Sequence, residues 1–434
     1  MKPKAYMAES RTAVAEAGTE TGAGSVFLSR DFRLYQTARL LVILGAEAQS
    51  IAVAWQVYQI THSALDLGLT YLTLFAPGFF FLLAAGYVAD RYDRRSVILT
   101  CYSLQALCTL ALIQFALHPT GRAFSSPASA AFLPSLVPSN HFVNAVNLGS
   151  IVYQVANIAG PAVGGLLFTL RLKGVPARWN GGAAVYAFTL LSLLAFLGLV
   201  GMMRTRPVRM VKNAFNLETM LAGFRYVLRT RLLLGSISLD FFAVFLGGAT
   251  ALMPIFATDI LHAGPRALGL LRAMPALGAL LISLCMIFRP IRRNSGKIML
   301  FCVAIYGTAT LVFGLSHAIW LSLLALVIVG ASDMVSVVIR ASVLQLATPP
   351  GLRGRVSAVN GLFVGASNEL GGFESGITAQ WWGAVRAVVI GGMGCLVVTG
   401  LAGALFPSLR QVDALTSESL MQTNLQQSVA EPVD

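Results

Sequence analysis

The sequence predicts an all-α membrane protein. Of its 434 residues, 56% are hydrophobic and only 11% are charged, whereas a soluble domain keeps roughly a quarter of its residues charged. The mean hydropathy is +0.74, and the apolar residues form runs of the ~20 residues that cross a bilayer core as a helix. The net charge of +13 lies mainly in short loops between these runs. That placement is typical of topology determinants and argues against nucleic-acid binding.

The first half of the chain predicts a polar tail and six spans. Residues 1–30 lack the apolar core of a signal peptide, so a disordered cytoplasmic tail is expected. Residues 31–203 are then a first six-helix bundle. Its spans are predicted at Phe32–Ile60, Leu67–Val88, Ser96–Leu117, Pro119–Pro138, Phe142–Leu170 and Gly182–Met203.

The second half repeats this organisation. Residues 204–231 form the longest internal hydrophilic stretch, and apolar residues at helical spacing in it predict an amphipathic helix at the cytoplasmic interface. Residues 232–406 predict a second six-helix bundle, and 407–434 a disordered cytoplasmic tail. The spans of this second bundle are predicted at Leu232–Ile260, Ala267–Phe288, Ile298–Ser316, Ile319–Thr348, Arg353–Trp382 and Ala384–Phe406.

An internal match supports duplication. The tripeptide Ala145-Val146-Asn147 enters the fifth span, and Ala358-Val359-Asn360 enters the eleventh, about half the chain later. Two halves related in this way place a substrate site between them near the membrane midplane.

The loop after the second span carries a charged pattern, which is Gly86-Tyr-Val-Ala-Asp90-Arg91-Tyr-Asp93-Arg94-Arg95. Alone, it could be an ordinary basic cytoplasmic loop. The pattern closely resembles the loop signature of the major facilitator superfamily, except that Asp93 replaces its usual glycine. The resemblance implies two six-helix bundles, twelve spans in all, and a loop that latches them closed on the cytoplasmic side.

The fourth span is anomalous. Between Pro119 and Pro138 the chain holds Arg122 and two further prolines, so hydropathy argues against a crossing. The positive-inside rule favours one, because only a crossing puts the basic loops on one side of the membrane. Gly-Arg122-Ala-Phe resembles the second half of the fourth helix of facilitator exporters, and the first half is missing. Either the fourth helix is short and sheltered by its neighbours, or part of it has been deleted and the protein has lost function.

The fifth span contains Gly160-Pro161-Ala-Val-Gly164-Gly165. Small residues and a proline could simply allow close packing. The pattern also resembles the antiporter motif of the superfamily, although Ala156 and Asn157 depart from it. Residues 331–376 look like the branch that includes the enterobactin exporter and macrolide-efflux-like proteins. The resemblance to these drug:proton antiporters implies secondary active export driven by proton entry.

Ionisable residues inside spans are costly and therefore indicate function. Glu47, Asp333 and Glu369 lie near the middle of their spans, where a carboxyl can take up and release protons, and with Arg122 they are the candidates for proton coupling or the cavity. Each acid could instead be structural. Two ion pairs are also predicted from equal depth, Asp240 with Arg340 and Arg272 with Glu374, and fixing helix packing is the favoured role for both.

Three functions compete. The favoured one is proton-coupled export of a small amphipathic molecule by alternating access, in a monomer in the inner membrane with both termini cytoplasmic. The alternatives are a facilitator-type importer of a small solute and a non-transporting membrane protein, such as a sensor or a transporter inactivated by the loss in its fourth helix. An enzyme is disfavoured, because the five histidines lie at span ends without catalytic or metal-binding neighbours. Neither a cofactor nor a metal is expected.

The twelve-span topology can be tested by cysteine labelling. A cysteine replacing Ser139 should react from the cytoplasmic side, and one replacing Pro119 from the outside, because the fourth span separates them. Reaction of both from the outside would contradict the crossing.

Overall fold

The computed structural model describes residues 30–76, 94–117, 142–170, 180–203, 217–291, 293–349 and 351–413, and these contain helices and no strand. The first helices are α1 (Arg30–Thr61), α2 (Ala64–Ala76), α3 (Arg94–Leu117), α4 (Phe142–Leu167), α5 (Asn180–Gly201) and α6 (Leu217–Arg229). The later ones are α7 (Arg231–Leu246), α8 (Gly264–Phe288), α9 (Ser295–Leu315), α10 (Ile319–Ala347), α11 (Arg353–Trp382), α12 (Ala384–Leu405) and α13 (Pro407–Gln411).

Seven of the described helices are long and apolar enough to cross a membrane, namely α1, α5, α7 with its continuation, α8, α9, α10 and α12. The fourth predicted span with Arg122 lies outside the described residues, and so does the loop from Gly86 to Arg91. Arg94 and Arg95 are the first residues of α3. The number of spans therefore stays a prediction.

The seventh predicted span is not one continuous helix. After Leu246 the chain leaves the α-helix at Gly247 and Gly248 and continues through a 3₁₀ turn and short helical segments, which are Ala249–Leu252, Met253–Ile255 and Phe256–Ile260. A Cβ on Gly247 would lie 2.5 Å from the Tyr306 ring, and one on Gly248 would lie 2.8 Å from the carbonyl oxygen of Gly371. Close packing at the break thus requires glycine, and the Tyr306 hydroxyl donates a 3.3 Å hydrogen bond to the Gly247 carbonyl.

One hydrophobic core is shared by the two halves of the chain. It includes Ile51 and Trp55 of α1 together with Phe256, Leu268 and Leu271 from the second half, all of them buried. Its residues come from the end of α1, the start of α2, the continuation of α7, the starts of α8, α10 and α12, and the ends of α9 and α11. This end of the helix bundle, where α1 ends and α2 begins, is here called the closed end.

Glycines bring the halves together at the closed end. A Cβ on Gly165 of α4 would lie 2.7 Å from the Pro265 carbonyl oxygen and 3.0 Å from Cα of Gly269 on α8. A Cβ on Gly68 of α2 would lie 3.0 Å from Cα of Gly376 on α11. In a membrane the hydrophobic effect does not drive helices together, so their association depends on close packing. Small residues allow the helix backbones to approach closely enough for it.

Three polar contacts also cross between the halves at the closed end. The Tyr58 hydroxyl donates a hydrogen bond to Asp259. Arg266 donates to the Thr169 hydroxyl at 3.2 Å, and the Leu65 amide donates to the Gln380 side-chain oxygen at 3.4 Å.

The amphipathic helix α6 docks at the opposite end of the second half. The Tyr226 hydroxyl donates a 2.8 Å hydrogen bond to the carbonyl oxygen of Ala347, at the end of α10. A Cβ on Gly223 would lie 2.9 Å from Cβ of Arg355 in the first turn of α11. Val227 is buried in the core of the second half. The helix therefore has one face on protein, while Leu228 is exposed.

Gly165→Val should open the closed end. The added side chain has no room against α8, and overpacking of this kind costs about 1–3 kcal/mol. The readout is a cysteine replacing Leu252, which is fully buried in the shared core, in a variant without the five native cysteines. A membrane-permeant maleimide should label it several-fold faster in the Gly165→Val protein.

Gly198→Val is the matched control, because a Cβ at Gly198 meets nothing within 4 Å. Labelling equal to that of the control would show that the α4–α8 contact does not hold the end closed.

Candidate functional site

A cluster of charged groups joins the two halves. It comprises Glu47 of α1, Tyr71 of α2, Arg272 of α8 and Glu369 of α11, and is called the Arg272 cluster. The Arg272 guanidinium interacts electrostatically with the carboxylates of Glu47 and Glu369 and lies close to the Tyr71 hydroxyl. Among the described residues, Glu369 Oε2 and Tyr71 Oη are buried without a hydrogen-bond partner. A single guanidinium thus interacts with two carboxylates, one from each half of the chain.

The glycine motif of α4 positions this cluster. A Cβ on Gly160 would lie 2.5 Å from Cβ of Glu47, and one on Gly164 would lie 2.7 Å from Cα of Ala48. Pro161 lies within the helix, and its carbonyl oxygen would be 2.5 Å from a Cβ on Gly269, one turn before Arg272 on α8. At these glycines α4 has no side chain between α1 and α8. The two helices therefore lie close enough for Glu47 and Arg272 to interact.

The predicted pairing of Arg272 with Glu374 is wrong. The Glu374 carboxylate instead accepts a 2.5 Å hydrogen bond from Thr378, one turn later on α11, and the acid of α11 that interacts with Arg272 is Glu369. Depth along the membrane does not determine which face of a helix a residue occupies. At about 100° per residue, Glu369 and Glu374 lie on different faces of α11.

Asp240 of α7 and Arg340 of α10 do meet. Arg340 Nη2 lies 3.0 Å from Asp240 Oδ1, and the side chains are 5% and 6% exposed. Arg340 Nη1 also donates a 2.9 Å hydrogen bond to the Asn360 side chain of α11, which leaves Nε buried without a partner among the described residues. The pair therefore ties three helices of the second half together.

Asp333 lies on α10 beside this pair and faces a cavity of about 220 Å³. Both Asp240 and Arg340 act electrostatically on its carboxyl group. The polar residues that line the cavity are Asp240, Thr250, Tyr306, Thr310, Asp333, Arg340 and Asn368, and the rest of the lining is mainly aliphatic. The cavity lies among α7, α8, α9, α10 and α11, so all of its described lining residues belong to the second half.

Sequence reasoning missed Tyr71, Tyr306 and Asn360. A tyrosine in an apolar run gives no sign of its partner, so Tyr71 and Tyr306 could not have been selected. Asn360 did carry a signal, because it belongs to the stretch that recurs in both halves. Among the described residues, no group of three His, Cys, Asp or Glu side chains could hold a metal ion.

Comparison with known proteins places the chain among transporters. Residues 22–434 match the family described as Transmembrane secretion effector. The chain is 28% identical over 401 residues to the Enterobactin exporter EntS of Citrobacter koseri, covering 88% of this chain and 92% of that protein. It is 29% identical over 381 residues to the protein of the same name from Shigella boydii serotype 18, covering 84% and 86%.

A solved structure shows the same fold. A bacterial homologue of the human lysosomal transporter Spinster, in an inward-facing and unoccupied conformation, aligns with a TM-score of 0.65 at 15% sequence identity. The alignment covers 91% of this chain and 98% of that one. The fold is that of the major facilitator transporters, as predicted.

Asp240→Asn should destabilise the protein by about 3–5 kcal/mol, because it leaves the Arg340 charge buried and unpaired. The double variant Asp240→Asn/Arg340→Gln should lose less than the sum of the two single variants, by about 0.5–3 kcal/mol. Thermal unfolding of purified protein in detergent measures both effects.

Arg386→Gln removes an exposed arginine and should leave stability nearly unchanged. Strict additivity of the two single substitutions would contradict an energetic link between Asp240 and Arg340.

Proposed function

The chain belongs to the transmembrane secretion effector family, and we propose that it exports a small amphipathic molecule in exchange for protons. It is a multi-pass transporter of the major facilitator type, not an enzyme. The names of its curated relatives support a siderophore-like substrate and the inner membrane. Export would proceed by alternating access, in which two states of similar free energy are each held by contacts that the other lacks.

The distribution of basic residues supports the orientation. Arg289 and Arg293, between α8 and α9, and Lys297, in the first turn of α9, are exposed at the end opposite to the closed end, as are Arg225 and Arg229 of α6. Cytoplasmic loops carry an excess of lysine and arginine. The opposite end would therefore be cytoplasmic, and the closed end would face the outside. The protein is then closed towards the side to which it exports.

The Arg272 cluster is the observation that carries the proposal. It contains two carboxylates and one guanidinium, so its net charge is −1 when both acids are ionised. Glu369 shares the second half with Arg272, whereas Glu47 belongs to the first. Separation of the halves at the closed end would thus take Glu47, not Glu369, away from the positive charge.

This asymmetry makes Glu47 the proposed carrier of the proton. When the end is open to the outside, Glu47 has left Arg272 and is exposed to external protons, so it would take up a proton there. When the end closes, Arg272 lies beside Glu47 again, and the proton would be released towards the cytoplasm. Inward movement of the proton on Glu47 is thereby linked to the change of access that exports the substrate.

Tyr58, Asp259, Arg266 and Thr169 would form the external gate. Their two inter-half contacts would have to break before substrate could leave. Hydrogen bonds that involve a charged group, as both of these do, contribute only about 1.5–3 kcal/mol each. They can therefore hold the end closed without preventing exchange between the two states.

Glu47→Gln should abolish proton-driven export and retain substrate exchange, because glutamine mimics the protonated acid and cannot release its proton. The measurement uses purified protein in liposomes and a panel of siderophores, macrolides and dyes. Efflux driven by a pH gradient should be lost, while exchange of labelled for unlabelled substrate without a gradient should continue. Glu369→Gln and Asp333→Asn are tested in parallel.

Glu374→Gln is the matched control, since Glu374 is a carboxylate on α11 outside the Arg272 cluster, and it should keep coupled export. If Glu47→Gln, Glu369→Gln and Asp333→Asn all export normally, the coupling site lies elsewhere. Wild-type export that an uncoupler does not reduce would exclude proton exchange. A wild-type protein that moves no member of the panel would favour the non-transporting alternative.

A further inference from the structure

The cavity beside Asp333 is not needed for the coupling scheme above. Within the part of the chain that the structure describes, it is bounded by helices of the second half, and neither Glu47 nor Glu369 lines it. A water-sized opening would need only about 10–15 Å³, so the cavity volume of about 220 Å³ is large enough for part of an organic molecule. Sites for whole drug-sized ligands have roughly 300–1,000 Å³. The cavity therefore suits a head group.

The charges around the cavity do not cancel. The Arg340 guanidinium is committed to Asp240 at 3.0 Å and to Asn360 at 2.9 Å. Among the described residues, Asp333 forms neither a salt bridge nor a hydrogen bond. One carboxyl group thus faces the cavity without a partner. A buried charge is costly unless it is paired, and the missing partner is a cation or a strong hydrogen-bond donor.

The break in α7 borders the same cavity. Gly247, Ala249, Thr250 and Met253 all line it, and they lie where the helix leaves its regular geometry. In transporters, substrate and ion sites are typically built where a membrane helix is interrupted, because the backbone there is free to face a cavity. The irregular backbone and the unpaired acid are separate observations that indicate one site.

We propose that the Asp333 cavity binds a protonated amine. Asp333 would pair with the ammonium group, and Tyr306 and Asn368, which also line the cavity, would offer oxygen atoms. The aliphatic lining, which includes Val244, Val337 and other apolar residues, would contact the carbon atoms next to the nitrogen. The assignment rests on the proposed export function only in that the amine would be part of the exported molecule.

Three small probes of the same shape test this proposal. They are 2-phenylethylamine, which is cationic at neutral pH, 2-phenylethanol, which is neutral, and 3-phenylpropanoate, which is anionic. Binding of radiolabelled 2-phenylethylamine to the full chain in nanodiscs is measured at one fixed pH, with the other two as competitors. The amine should bind at least about tenfold more tightly than the alcohol, and the anion should not compete.

Two variants locate the site. Asp333→Asn should weaken amine binding at least about tenfold and leave binding of the alcohol within about twofold. Val337→Phe narrows the cavity without changing a charge and should weaken binding of both. Glu374→Gln alters a carboxylate outside both the cavity and the Arg272 cluster and should leave amine binding unchanged.

The outcomes separate this proposal from proton-coupled export. A protein that exports other substrates in an uncoupler-sensitive way, but prefers the alcohol to the amine, overturns the amine site alone. Amine binding that survives both Asp333→Asn and Val337→Phe also overturns it. Amine binding that depends on Asp333, in a protein without uncoupler-sensitive export, supports the site and contradicts the coupling.

Discussion

The charge on Arg272 is the interaction on which the arrangement of the two halves depends. A guanidinium inside a membrane has no water to accept its hydrogen bonds, so it must lie near carboxylates or in a hydrated cavity. Here the carboxylates come from α1 and α11. They can reach Arg272 only because α4 has no side chain at Gly160 and Gly165, where α1 and α8 pack directly against its backbone. Electrostatics and the small residues of α4 are thus parts of one constraint, since larger side chains on this helix would move Glu47 away from Arg272.

The shared core and the charged cluster contribute differently to closure. The apolar residues around Trp55 and Phe256 favour the closed end whatever the protonation state of the protein, because burial of apolar surface does not respond to protons. The interaction of Arg272 with Glu47 does respond, because protonation removes one of its two charges. A transporter needs both kinds of contact. With apolar contacts alone the closed state would be insensitive to protons, and with charges alone it would lack a packed interface.

The sequence was sufficient for the helices and for part of the site. Long apolar runs predicted α8 to α12 to within a few residues. The equal depth of Asp240 and Arg340 in their spans predicted the ion pair that they form. Two features could not be obtained in this way. Counting from helix ends says nothing about the face a residue occupies, so Glu374 was chosen where Glu369 is the partner of Arg272. The break at Gly247 was missed because the run from Leu232 to Ile260 is long and predominantly apolar, and only the packing of Tyr306 and Gly371 reveals why glycine is needed there.

The acidic residues of the two sites differ in a way that the proposed alternating access would explain. Asp333, Asp240 and Arg340 all belong to the second half, so a rigid movement of one half against the other leaves their distances unchanged. The Arg272 cluster takes Glu47 from the first half and Glu369 from the second, so the same movement must alter it. A group can sense through its charged partners which side is open only if these partners move relative to it on opening, and Glu47 meets that condition while Asp333 does not. Asp333 is suited instead to hold a ligand throughout the cycle, and release must then come from exposure of the cavity to the outside rather than from rearrangement of its charges.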